Sequence, residues 1–152
     1  MLSLKQYIEF TLGTENYVIE MDYVREIIKP LHITKLVGSP EFVKGVSKVR
    51  DNVITIIDLN QKFNIDSATC EVNEPRIIIL EYNSENVGLL VDDVVDILES
   101  DNLENTSSLI HFGIISEIMK FEDRILPILD IERLFSSDVT QWLNSDTISQ
   151  AK

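Results

Sequence analysis

Two aspartates occupy matching apolar settings, Asp58 in Ile56-Ile57-Asp58-Leu59 and Asp130 in Ile128-Leu129-Asp130-Ile131. A pair of carboxylates on equivalent segments is how aspartic proteases share one proton between two acids. Those enzymes follow each aspartate with a small residue and a glycine, where this chain has Leu59-Asn60 and Ile131-Glu132. Both aspartates therefore read as caps that open short helices, and a hydrolase using Asp58 and Asp130 is the weaker alternative. The acids Asp92, Asp93, Asp96, Glu99 and Asp101 lack the alternating spacing, glycine and distal glutamate of a calcium loop, so they read as a solvated face rather than a metal site. His32 and His111, the two histidines, have no serine, cysteine or second histidine at a telling spacing. Cys70 is the single cysteine, lies in a polar stretch and has no CxxC partner. The five glycines are scattered and make no phosphate-cradling loop. With no activated nucleophile, ligand set or cradle, the chain reads as a non-enzyme that needs no cofactor or metal.

What positions these residues is a chain of 152 residues, 44% apolar and 26% charged, which suits a packed domain. No apolar run approaches the roughly 18 residues of a membrane helix, and the first ten residues lack the pattern of a secretory signal. A cytoplasmic protein with no membrane insertion is expected. The net charge is −13, of which residues 1–66 carry −1 and residues 67–152 carry −12. Such a field repels phosphate backbones, which argues against nucleic acid as a partner.

The sequence is written twice. Residues 5–28 lie over 75–98 at a shift of 70, with Asn16 over Asn86 and Met21-Asp22-Tyr23-Val24 over Val91-Asp92-Asp93-Val94. Residues 52–59 lie over 124–131 at a shift of 72, and Phe63 over Phe135. Each half, roughly 5–66 and 75–136, begins with two β-branched strands around a turn, Gly13–Asn16 or Asn83–Asn86. A short helix is then predicted after Asp22, with Val24, Ile27 and Ile28 at i, i+3, i+4, and another after Asp92, with Val94, Ile97 and Leu98. Each half closes with a hairpin, turning at Arg50-Asp51-Asn52 or at Phe121–Asp123, and a helix opened by Asp58 or Asp130. The pattern predicts a mainly β protein of two small barrels, each of about five strands, with short helices. Asp66–Glu74 and Asp101–Ser108 read as linkers. The tail 137–152 is polar, with Val139, Trp142 and Leu143 on one helical face.

The run Pro40-Glu41-Phe42-Val43-Lys44-Gly45-Val46-Ser47-Lys48-Val49-Arg50-Asp51-Asn52-Val53-Ile54-Thr55-Ile56-Ile57-Asp58-Leu59 resembles the signature stretch of the chemotaxis coupling protein family, CheW. Phe10-Thr11-Leu12-Gly13 with Tyr17-Val18-Ile19, and Val87-Gly88-Leu89-Leu90-Val91-Asp92-Asp93-Val94, resemble it too, so the likeness spans roughly residues 5–136. It implies one domain of two intertwined, five-stranded SH3-like barrels without activity of its own. It also implies a bridging role between methyl-accepting chemoreceptors and the regulatory domain of the histidine kinase CheA, in arrays at the inner face of the membrane. An adaptor of the same fold in another two-component pathway, such as type IV pilus motility, is the alternative. The family's receptor groove, carried over, falls on Val24, Ile27, Ile28, Val91 and Val94, with Arg50 matching its receptor-linked arginine. Its kinase contact falls on Ile33 and Lys44. The family usually writes Asn-Leu-Arg-Gly where this chain has Lys48-Val49-Arg50-Asp51, so the turn that presents Arg50 is altered.

Overall fold

A computed structural model describes residues 4–65, 74–105 and 115–135. Cys70, His111, the tail, residues 66–73 of the first predicted linker and 106–108 of the second lie outside the described residues. The first half supplies β1 (Lys5–Leu12), β2 (Glu15–Glu20), β3 (Val24–Ile28), β4 (Val43–Val49), β5 (Asn52–Asp58) and helix α1 (Leu59–Phe63). The second supplies β6 (Arg76–Tyr82), β7 (Glu85–Val91), β8 (Asp93–Ser100), β9 (Leu103–Asn105), β10 (Ile115–Phe121), β11 (Arg124–Leu129) and helix α2 (Ile131–Phe135).

The strands form two sheets, in the orders β8-β1-β2-β11-β10-β9 and β3-β6-β7-β5-β4. Each therefore combines the opening hairpin of one half with the later strands of the other. On one side of each inserted hairpin the join is parallel, Val18 of β2 beside Ile128 of β11 and Ile56 of β5 beside Gly88 of β7; on the other it is antiparallel, β1 with β8 and β6 with β3. The architecture is mainly β, as the sequence predicts. The first sheet adds β9 as a sixth strand, which corrects the reading of residues 103–105 as linker.

Side-chain alternation divides the apolar residues among three clusters. In β1, Tyr7 faces the same cluster as Val18, Leu98, Met119, Leu126 and Ile128. These residues come from β8 at one end of the sheet and β10 near the other, so the sheet wraps around them as barrel A. Ile54, Ile56, Ile77 and Ile79 fill barrel B in the same way, with Ile28 and Ile33 against them. The opposite faces of β1, β2, β6 and β7 (Ile8, Phe10, Ile19, Ile78, Leu80, Leu89) meet in a central core between the barrels. Strands β1 and β6 are thus covered on both faces. Each fully buried Ile or Leu there is worth about 1.5–3 kcal/mol.

The two short helices predicted after Asp22 and Asp92 are not formed. Met21–Tyr23 is a single 3₁₀ turn, Val24–Ile28 is strand β3, and Asp93–Ser100 is strand β8. Two equivalent β-bulges explain the false helical spacing. Arg25 is the extra residue where β3 runs along β6, and Val95 the extra residue where β8 runs along β1. A bulge inserts one residue into a period of two, so apolar positions appear three and four apart. Asp92 instead ties the halves together, accepting from the Gly13 amide at 2.7 Å and from Asn60 Nδ2 at 2.8 Å.

Barrel B is closed at one end by a bridge in which Thr34 and Val46 exchange backbone hydrogen bonds of 2.8 Å. Gly45 makes this contact possible: its φ is +149°, and a Cβ there would lie 2.2 Å from the Thr34 carbonyl oxygen. Gly45→Ala is expected to break the bridge and cost about 2–3 kcal/mol, read from the urea midpoint. An unchanged midpoint would mean that the close approach is not required.

Candidate docking surface

Arg50 stands at the tip of the β4–β5 hairpin, where Val49 pairs with Asn52 across two residues. Its φ is +56°, a left-handed conformation that favours glycine, so the turn holds the arginine backbone in a strained state. The guanidinium reaches back across the mouth of barrel B to Glu26 of β3, with Nη1 to Oε2 at 2.5 Å and Nη2 to Oε1 at 2.9 Å. Strands β3 and β4 are the two edges of this sheet, so the bidentate pair spans its seam. The hydrogen bond to Arg50 holds the Glu26 carboxyl below its usual range, and Glu26 raises the already high Arg50. Both side chains remain open to solvent, at 30% and 70% exposure. Beside them, the bulge residue Arg25 pairs with Glu81.

The residues carried over for a receptor groove divide three ways. Ile27 is exposed and adjoins Glu26 in β3. Val24 and Val94 are half-buried against the central core, and Ile28 is half-buried against the interior of barrel B. Val91, 1% exposed, lies inside the central core, where no partner can reach it, so it can support such a surface only from behind. Glu26 escaped the sequence reading. The signal for it is the alternation Glu26-Ile28 toward barrel B, cut short at the Arg25 bulge and hidden by the helical reading of that segment.

Ile33 and Lys44 come together at the other end of the hairpin. Both line a cavity of about 580 Å³, with Lys35, Pro40, Asp58 and Gln61 around it. Asp58 is engaged as the cap of α1, accepting from Asn60 N at 3.0 Å and Gln61 N at 3.4 Å. Asp130 accepts from Arg133 N at 3.1 Å and borders a different cavity. The two aspartates act as helix caps at separate places, which removes the basis for a paired-acid hydrolase.

Barrel A carries its arginine elsewhere. The residue equivalent to Arg50 is Glu122, also at positive φ, while Arg124 two positions on turns over the barrel mouth. It forms hydrogen bonds of 2.7 and 3.1 Å with Glu9, whose side chain is 1% exposed and also accepts from Asn16 Nδ2 at 2.6 Å. That hydrogen bond to Glu9 raises Arg124.

Two β barrels that exchange their opening hairpins define the class of domain. The family model described as the CheW-like domain matches residues 6–139, and the chain belongs to that family of non-enzymatic scaffold proteins. It is 31% identical over 140 residues to the chemotaxis protein CheW of Klebsiella aerogenes, covering 88% of this chain and 83% of that one. The crystal structure of the scaffolding protein TtCheW from Thermoanaerobacter tengcongensis is similar at a TM-score of 0.79 and 29% identity, covering 89% of this chain and 90% of the other. A shorter match, 30% identical over 87 residues, joins 57% of this chain to 48% of the protein PilI of Pseudomonas aeruginosa.

The strained turn makes its own prediction. Arg50→Gly relieves the left-handed backbone and Arg50→Ala does not, while both delete the Glu26 pair. The thermal midpoint of Arg50→Gly is expected about 2–4 °C above that of Arg50→Ala. Equal midpoints would show that the turn relaxes without cost.

Proposed function

We propose that this chain is a chemotaxis adaptor that couples methyl-accepting chemoreceptors to the regulatory domain of the histidine kinase CheA. The observation that carries the reading is the placement of two different features at opposite ends of one rigid hairpin. At the tip, Arg50 pairs with Glu26, the strand neighbour of exposed Ile27. At the base, Ile33 and Lys44 line the cavity. Lys44 and Arg50 are six positions apart along the chain, up to about 20 Å at the usual rise. That distance lets two partners sit on the same module without overlap, as a coupling function requires.

The tip suits a receptor helix. Apolar side chains of the helix would cover Ile27 and the rims of Val24, Ile28 and Val94, with Val91 packed behind them. The Arg50–Glu26 pair would offer a fixed donor fork and an acceptor to polar groups at the edge of that contact. The base suits the kinase domain, with Ile33 as the apolar element and Lys44 as the charged one. Residence at receptor arrays then follows from protein contacts, and no helix among the described residues is long and apolar enough to cross a membrane.

Reconstitution tests the proposal. The host's receptor membranes and CheA are mixed with the chain, and kinase autophosphorylation is followed. Phosphate incorporation is expected to rise when all three are present and to fall back toward the two-component level with Arg50→Glu. A kinase that neither binds nor responds to the wild-type chain would move the adaptor to another pathway.

A further inference from the structure

Helix α1 has five residues, too few to hold a helix unaided, so its surroundings must hold it. Helix α2 stands at the equivalent place of the other half and is anchored by three buried apolar side chains, Ile131, Leu134 and Phe135. Helix α1 has one such anchor, Leu59, and its second buried residue is the polar Asn60. Asn60 Nδ2 donates to Asp92 Oδ1 at 2.8 Å, while Asn60 Oδ1 has no hydrogen-bond partner among the described residues. A buried acceptor left unmatched is costly, so what Asn60 contributes lies in the one bond its side chain makes.

The duplication supplies a control. At the shifts of 70 and 72, the positions equivalent to Asp92 and Asn60 are Asp22 and Glu132, and both are exposed. Two acids cannot replace a carboxylate that accepts from an amide, so the frame closes in that half without the contact. The Asn60–Asp92 bond is therefore no requirement of the shared fold. Asp92 is itself fixed from two further sides. Its Oδ2 accepts from the Gly13 amide at 2.7 Å, and its own amide donates to the Thr11 carbonyl oxygen at 3.0 Å. It forms a post in the second half against which α1 of the first half is set.

What α1 carries gives the contact a use. Asp58, the cap of α1, and Gln61 line the cavity shared with Ile33 and Lys44, and Asn60 lies between them in the chain. We infer that Asp92 and Asn60 are positioning residues for the kinase side of the adaptor. Their hydrogen bond sets α1, and with it the wall of the cavity that Asp58 and Gln61 form. This inference rests on the kinase contact proposed above.

The test uses the full chain and two readouts. Asn60→Asp removes the donor and sets two acids together. Combining it with Asp92→Asn restores a donor from the other side: the new amide at position 92 donates to the acid at position 60, and its oxygen still accepts from Gly13. In the free chain, hydrogen exchange reports on α1 through the Ile65 amide, which donates to the Asn60 carbonyl oxygen at 2.8 Å. That exchange is expected to quicken in Asn60→Asp and to slow again in the swap. In titrations, Asn60→Asp is expected to weaken binding of the CheA regulatory domain about tenfold and to leave binding of a receptor-tip fragment unchanged, with most of the loss regained in the swap. Asn60→Ala, which deletes the donor without adding a charge, is expected to move both readouts the same way by less. Equal loss for both partners, unchanged kinase affinity in the single variants, or no recovery in the swap would overturn the inference. A wild-type chain that binds no kinase domain would remove the kinase reading itself, and the inference with it.

Discussion

The parallel pairing of β2 with β11, and of β5 with β7, is the constraint from which the remaining architecture follows. Each pairing inserts the opening hairpin of one half into the sheet of the other. A parallel join cannot be made by a tight turn, so it has to be reached through long connections, and neither barrel is completed until both halves are present. The exchange also covers β1 and β6 on both faces, one toward a barrel interior and one toward the central core. Gly88 marks how close the approach is: a Cβ there would lie 2.7 Å from side-chain carbons of both Ile56 and Ile77.

On that symmetric frame the polar residues are not symmetric. Barrel B spans its seam with a solvent-exposed pair from the hairpin tip, Arg50 to Glu26. In barrel A the equivalent positions are Glu122 and Asp96, two acids that would repel, and Arg124 lies close enough to feel both while it binds buried Glu9. Exposed pairs of the first kind contribute little to stability, so the geometry of Arg50 is better suited to presenting a surface than to holding the fold. A buried carboxylate such as Glu9 is different, since removal of its arginine would strand a charge inside the barrel.

What was legible in the sequence was mostly local. Asp58 and Asp130 read as helix caps because a cap and its amides lie within three residues of each other, and the structure has both. The repeat was legible because the two shifts preserve apolar pattern, and the paired bulges at Arg25 and Val95 follow it into three dimensions. Those same bulges made β3 and β8 look helical, since a single inserted residue converts an alternating pattern into one of three and four. Glu26 was not legible, because its role depends on the barrel bringing the edge strands β3 and β4 together and Arg50 against it. Val91 shows the converse: its match to a family position was visible, but its burial in the central core was not.

A coupling module requires its two contacts to be separable, and the proposed function sets them at opposite ends of the β4–β5 hairpin. The direct measurement is the affinity of a chemoreceptor tip fragment and of the CheA regulatory domain, each titrated separately onto wild-type chain, Arg50→Glu and Lys44→Glu. The account predicts that Arg50→Glu weakens receptor binding alone and Lys44→Glu weakens kinase binding alone. Loss of both affinities in either variant, or of neither in both, would contradict it.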